Sequence, residues 1–107
     1  MTRGTIVWVN LEDASPPEFG KIRPGLVLSN TRQNIILDTV VVLPVSTRPP
    51  EIWPLRLRIP LEHQKNHFVV VPGIRQVSKK RLIDILAEAP ESFMKKVEEA
   101  VALYLGP

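Results

Sequence analysis

The sequence predicts a mainly β domain, with short antiparallel strands curled into a strongly bent sheet or partial barrel and one α-helix closing the chain. Three observations carry this. Short apolar, β-branched runs recur from the first residues to Leu86. Proline and glycine punctuate them, and the 11 prolines are about double the usual share of roughly 5%. Only Pro90 to Leu105 repeats its apolar residues at helical spacing.

Gly4 to Asn10 reads as a strand apolar on both sides, with Ile6 and Trp8 on one face and Val7 and Val9 on the other, so it belongs inside the core. Leu11 to Ile22 holds Pro16-Pro17 and Gly20 and reads as a long loop. A loop of that length in a small domain suits a lid or a binding loop. Gly25 to Ser29 is the second strand, and Arg23-Pro24 stands where the loop enters it. Proline fixes its own φ and pushes Arg23 towards an extended backbone. A guanidinium held there suits a phosphate, whose oxygens match its planar fork. It also suits a plain surface arginine.

Asn30 to Asn34 reads as a polar turn. Asp38 to Val45 is the strongest strand signal, and Pro44 should end its ladder or mark an edge. Ser46 and Thr47 then fall just past the strand. Arg48 to Pro54 is a proline-rich loop. In Leu55 to Ile59, Leu55, Leu57 and Ile59 face a core while Arg56 and Arg58 make a small cationic face. His67 to Val71 is a further strand, broken by Pro72-Gly73 and resumed at Ile74 to Val77. Lys79 to Arg81 suits a short helical turn in a structural or solvating role, and Leu82 to Leu86 a short strand. In the closing helix Phe93, Val97, Ala100, Val101 and Tyr104 form one apolar face, with Pro90 in the first turn and Gly106 as the cap.

At 107 residues the chain predicts a single domain, residues 1–107, with a modest core. It has no cysteine, so disulfide and thiolate chemistry are excluded. No apolar run is long enough for a membrane span and no signal segment opens the chain, so a cytoplasmic location is expected. The net charge of +3 is uneven. Met1 to Arg81 carries 12 Lys/Arg against 6 Asp/Glu, and Leu82 to Pro107 carries 2 against 5. A basic body suits a polyanionic partner and equally suits solubility alone.

No metal or cofactor is expected. His63 and His67 have only Glu62 near them in sequence, and neither a phosphate-binding glycine loop nor a nucleophile elbow occurs. What remains is Arg23, the hydroxyls of Ser46 and Thr47, scattered arginines and a few carboxylates. Such a set suits binding a phosphodiester, and cleaving RNA without a metal, where the substrate's own 2′-hydroxyl is the nucleophile.

In order, RGTIVWVNL, EFGKIRPGLVLSN, VVVLPVST and IRQVSKKRL followed by a closing helix resemble the MazF/PemK family of toxins from toxin–antitoxin systems, over nearly the whole chain. The resemblance implies an SH3-like partial barrel of the CcdB/MazF type. It implies a homodimer that cleaves single-stranded RNA, including mRNA, at a specific sequence without a metal, leaving a 2′,3′-cyclic phosphate and inhibiting growth. It further implies a cognate antitoxin with an acidic tail. By the same resemblance Arg23 stabilises the charged phosphorane, Ser46 or Thr47 supplies a hydroxyl, and Glu18 is the acidic residue of the loop. Arg75 matches the basic residue of the Ile-Arg step and, with Lys21, Arg48, Arg56 and Arg58, is a candidate for binding RNA. The sequence departs from the family where an acid usually precedes the Ile-Arg step, because Pro72-Gly73 stands there. Glu18 or His67 is then the candidate proton acceptor. A non-catalytic module that binds RNA or a protein is the alternative reading. Trp53, between prolines, either packs its loop onto the barrel or stacks a base.

Overall fold

The computed structural model describes residues 1–61 and 66–107, which leaves Glu62 and His63 outside the described residues. Among the described residues seven strands and two α-helices follow one another: β1 Thr5–Asn10, β2 Ile22–Val27, α1 Thr31–Ile36, β3 Thr39–Ser46, β4 Arg56–Arg58, β5 Phe68–Val70, β6 Arg75–Ser78, β7 Leu82–Glu88 and α2 Glu91–Leu105. The strands form one antiparallel sheet in the order β4-β5-β3-β2-β1-β7, and β6 also pairs with β3. The predicted class, a bent β-sheet with a C-terminal helix, is the observed one.

Both faces of the central strands are covered. Ile6, Leu26, Leu43 and Val45 pack with Phe93, Met94, Val97 and Ala100 of α2. Val7, Val9, Val27, Val40 and Val42 pack on the other side with Val77 and Leu11. This is why β1 is apolar at successive residues: it has core on both sides. Register shifts between β1 and β7 near Val7 let the sheet bend.

Several local expectations are corrected. Asn30 to Asn34 is the start of α1, not a turn: the Asn30 side chain caps the helix by accepting the Arg32 N–H at 2.8 Å. β2 begins at Ile22, so Arg23 and Pro24 lie within the strand, opposite Val9 and Trp8. Pro44 does not end β3. The strand changes partner around it, pairing with β6 up to Val42 and with β5 from Val45, so Pro44 lies where that edge asks for no donor. Ser46 is therefore the last residue of β3, opposite Phe68, and not a loop residue. Leu55 is exposed in the turn that precedes β4, while Leu57 and Ile59 are buried as expected. The buried stripe of α2 takes in Met94 and leaves Tyr104 exposed, so burial stops at Ala100 before the last turn of the helix. β7 runs to Glu88, two residues beyond the predicted strand.

Candidate functional site

The two ends of β2 and β3 meet at one cleft of about 900 Å³. Its floor holds Arg23 from β2 and Ser46 from the end of β3. Thr47 and Arg48 follow on one rim, and Arg56 stands beyond them. The loop between β1 and β2 forms the opposite wall, contributing Glu12, Glu18, Phe19 and Lys21. Lys21 makes the bend from that loop into β2 with φ 66°, a left-handed conformation that costs a side-chain-bearing residue about 1–2 kcal/mol.

Arg23 is held from two sides. Its Nε donates to the Gly20 carbonyl at 2.8 Å, and its guanidinium lies 4.8 Å from the centre of the Phe19 ring. No hydrogen bond engages its two terminal nitrogens among the described residues. Burial, and then the nearby Arg48 charge, push its pKa below the usual arginine value. Arginine stays cationic at neutral pH even so. The cleft thus holds a partly desolvated cation, a second cation beside it and a free planar fork, an arrangement suited to an anion. Ser46 is nearly buried, and its Oγ accepts the Arg48 N–H at 3.1 Å, so its own proton is free to donate. Arg56 donates from Nη1 to the Arg48 carbonyl at 3.0 Å, which ties β4 to the segment that follows β3 on the same rim. Glu18 closes a turn of the loop, its Oε1 accepting the Ser15 N–H at 3.2 Å.

Seven of the nine predicted site residues therefore share one cleft: Arg23, Ser46, Thr47, Glu18, Lys21, Arg48 and Arg56. The other two do not line it. Arg58 lies 5.7 Å over the Phe68 ring and lines a neighbouring groove. Arg75 lies behind the loop, bound to Asp13. His67 does not line the cleft either; it is half-buried, and its Nδ1 has no hydrogen-bond partner among the described residues. Phe19 and Glu12 were missed by sequence reasoning. The aromatic in an otherwise charged loop was the available signal, because such a residue packs under something. Among the described residues, no group of three His, Asp or Glu side chains is placed to hold a metal ion.

Asp13 latches the loop to the body. Its Oδ2 lies 3.0 Å from Arg81 Nη2 and 3.4 Å from Arg75 Nη2, and Arg81 also donates to the Asn10 carbonyl at 3.2 Å. Desolvation pushes the Asp13 carboxyl up, but the hydrogen bond from Arg75 and the charges of Arg75 and Arg81 together outweigh it and hold the carboxyl below its ordinary pKa. A lowered folded-state pKa means that the latch is complete above the ordinary carboxylate value of 3.8 and is lost as pH falls through the lower folded value. Asp13→Asn should speed amide hydrogen exchange across residues 12–20 by the same factor at pH 6 and pH 8, without moving exchange in β3. A factor that changed across that range would contradict the latch.

Pro72-Gly73 has a packing reason. The two residues belong to the 3-10 turn Val71–Gly73 that joins β5 to β6 along the edge of β3. That turn passes Pro44, and a Cβ on Gly73 would lie 2.4 Å from Pro44 Cγ and 3.4 Å from Phe19 Cδ2. Only glycine lets the turn approach the proline so closely.

The sequence matches the family described as PemK-like, MazF-like toxin of type II toxin–antitoxin system over residues 2–105. It is 25% identical over 108 residues to endoribonuclease EndoA of Bacillus subtilis (strain 168), covering 97% of this chain and 93% of that one. The crystal structure of MazF (Form-I) from Deinococcus radiodurans superposes with a TM-score of 0.87 at 27% identity, covering 100% of this chain and 97% of that one. The MazE–MazF structure (Form-III) from the same organism gives 0.80 at 27%, covering 99% and 96%. The match thus runs along nearly the whole chain in sequence and in fold, and the chain belongs to the PemK-like, MazF-like toxins of type II toxin–antitoxin systems.

Proposed function

We propose that the chain is the toxin of a toxin–antitoxin pair and acts as an endoribonuclease on single-stranded RNA, cutting at a specific sequence and inhibiting growth. The observation that carries it is the free, partly desolvated fork of Arg23 beside Arg48 and the Ser46 hydroxyl. A phosphodiester seated there relieves the repulsion between the two arginines. The substrate's 2′-oxygen attacks phosphorus, the bond to the 5′-oxygen breaks, that oxygen leaves as a 5′-hydroxyl by taking a proton from solvent, and a 2′,3′-cyclic phosphate is left. Arg23 stabilises the added charge of the phosphorane, aided by the hydroxyl of Ser46 or Thr47. Glu18, on the facing wall, takes the proton of the 2′-hydroxyl. Lys21, Arg48 and Arg56 hold the strand on either side. EndoA, whose name states the same activity, and the MazE–MazF assembly support this reading and that of an antitoxin partner. The cationic cleft suits an acidic antitoxin tail. A homodimer fits the exposed apolar residues Ile83, Ile85 and Leu86 of β7 and Leu103 and Leu105 of α2. No helix among the described residues is long and apolar enough to cross a membrane, and a cytoplasmic location is part of the proposal.

The test is to incubate the protein with a long unstructured RNA in EDTA and map the new 5′ ends. Discrete cuts are expected, and a 2′-deoxy nucleotide placed 5′ to the scissile phosphate should abolish cutting at that position. Cuts that persist at the 2′-deoxy site would overturn the chemistry. RNA binding with no cutting would favour a non-catalytic binding module.

A further inference from the structure

A second groove, of about 700 Å³, adjoins the cleft and shares Arg56 with it. Trp53, Arg58, Phe93, Lys96 and Glu99 line it. Of the two readings the sequence leaves open for Trp53, packing its loop onto the barrel and stacking a base, its 50% exposure speaks against the first. The turn that carries it is nevertheless closed by backbone hydrogen bonds. The Ile52 N–H donates to the Arg56 carbonyl at 2.8 Å, and the Ile52 carbonyl accepts from Leu55 and Arg56 at 2.7 Å each. These bonds close a tight turn with Trp53 and Pro54 at its tip. Leaving half an indole in water forgoes a large part of the burial that an aromatic side chain would gain elsewhere in a small domain. A half-bare aromatic plane at the tip of a hydrogen-bonded turn suits a stacking platform.

Its surroundings select the occupant. Arg56, Arg58 and Lys96 bring three cations to the groove against the carboxylates of Glu51 and Glu99. Glu51 is already engaged, its Oε2 accepting the Arg58 N–H at 2.9 Å. The Arg58 guanidinium is steadied over the Phe68 ring. Arg56, anchored on the Arg48 carbonyl, stands between groove and cleft, within reach of a phosphate that bridges them. An apolar peptide side chain would need an enclosed pocket. A platform on the rim of a cationic groove suits the flat face of a base whose phosphates are held on both sides.

We propose that Trp53, with Arg56, Arg58 and Lys96, forms a nucleotide subsite next to the scissile position. A base of single-stranded RNA stacks on the indole there, while Arg56 and Lys96 hold the flanking phosphates. This rests on the ribonuclease reading and adds to it a residue that governs substrate binding without touching the reacting atoms. Because every base has a π face, the stack adds affinity with little base preference.

The experiment uses the full chain and a random-sequence, fully 2′-O-methylated single-stranded RNA of roughly 12 nucleotides, which cannot be cut at its blocked 2′-oxygens. Wild-type protein should bind it with quenching of tryptophan fluorescence. Trp53→Ala should lose most of that quench, leaving Trp8 as the common background, and should bind roughly 5- to 100-fold more weakly. Trp53→Phe should recover most of the affinity. An abasic ribose-phosphate strand of the same length should bind wild type and Trp53→Ala alike. With cleavable RNA, Trp53→Ala should raise KM with little change in kcat. Equal RNA binding by wild type and Trp53→Ala would overturn the subsite and leave the ribonuclease reading standing. Failure of the wild type to bind any RNA would overturn that reading and the subsite with it. Fluorescence that tracks protein concentration alone would assign Trp53 to a contact between two copies, and a quench by polyglutamate but not by RNA would assign it to an acidic peptide. Either would overturn the proposal.

Discussion

Arg23→Ala is expected to lower RNA cleavage by at least about 10²–10³, the usual cost of removing a preorganised donor from a charge-building transition state. The loss should fall on kcat, because Lys21, Arg48 and Arg56 still hold the strand in the cleft. Arg23→Lys should recover little. The ammonium keeps the charge, but it cannot donate to Gly20 while presenting a planar fork to two phosphate oxygens. The fold should survive both changes, since the Arg23 side chain serves no core cluster. Far-UV circular dichroism and a thermal melt check this, with a shift of a few degrees expected from the lost contact on Phe19. A variant lacking the guanidinium that cut RNA at the wild-type rate would remove Arg23 from the chemistry altogether.

Gly73→Asp puts an acid into the Pro72-Gly73 step, one position after the place where the family resemblance leads one to expect it, and should impair the protein. The new Cβ would fall 2.4 Å from Pro44 Cγ and 2.8 Å from Pro44 Cδ, ring atoms that cannot rotate away. Phe19, 3.4 Å off, is the next to move, and it is the ring under Arg23. Overpacking of this kind costs about 1–3 kcal/mol. In a domain of this size each kcal/mol lowers Tm by roughly 4–8 °C. Gly73→Ala isolates the steric part and should show the same fall in Tm, with slower cleavage because Arg23 loses its support. Pro44→Ala deletes the two ring atoms, so the double variant Gly73→Ala/Pro44→Ala should be more stable than the sum of the single effects predicts. A neutral Gly73→Ala would refute the packing account.

Much of the fold was legible in order along the chain. The double-sided apolar run of β1, the valine run of β3 and the helical spacing of Phe93, Val97 and Ala100 each report which faces are buried, and burial imposes a period on the sequence. Errors clustered where local signals depend on a neighbour. Pro44 reads as a strand end because proline lacks a donor, yet β3 changes partner at that point and asks for none. Asn30 reads as a turn residue and is a helix cap, two uses of the same side-chain oxygen that only the following backbone separates.

The site divides in the same way. The sequence by itself determined the class of fold, the chemistry available and the residue at its centre: no thiol, a basic body and an arginine stiffened by the proline after it. Those follow from composition and from backbone stereochemistry, which act within a few residues. Only the tertiary structure decided which cations share a cleft and what Pro72-Gly73 is for. Arg56 joined the cleft, while Arg75 went behind the loop to Asp13. Strand direction alone cannot assign them, because sheet order brings distant segments together. Pro72-Gly73, read in sequence as a missing acid, is the close approach of a turn to Pro44, 28 residues earlier than Pro72 in the chain. Steric exclusion between distant segments leaves no periodic trace in a sequence, so only their packing reveals it.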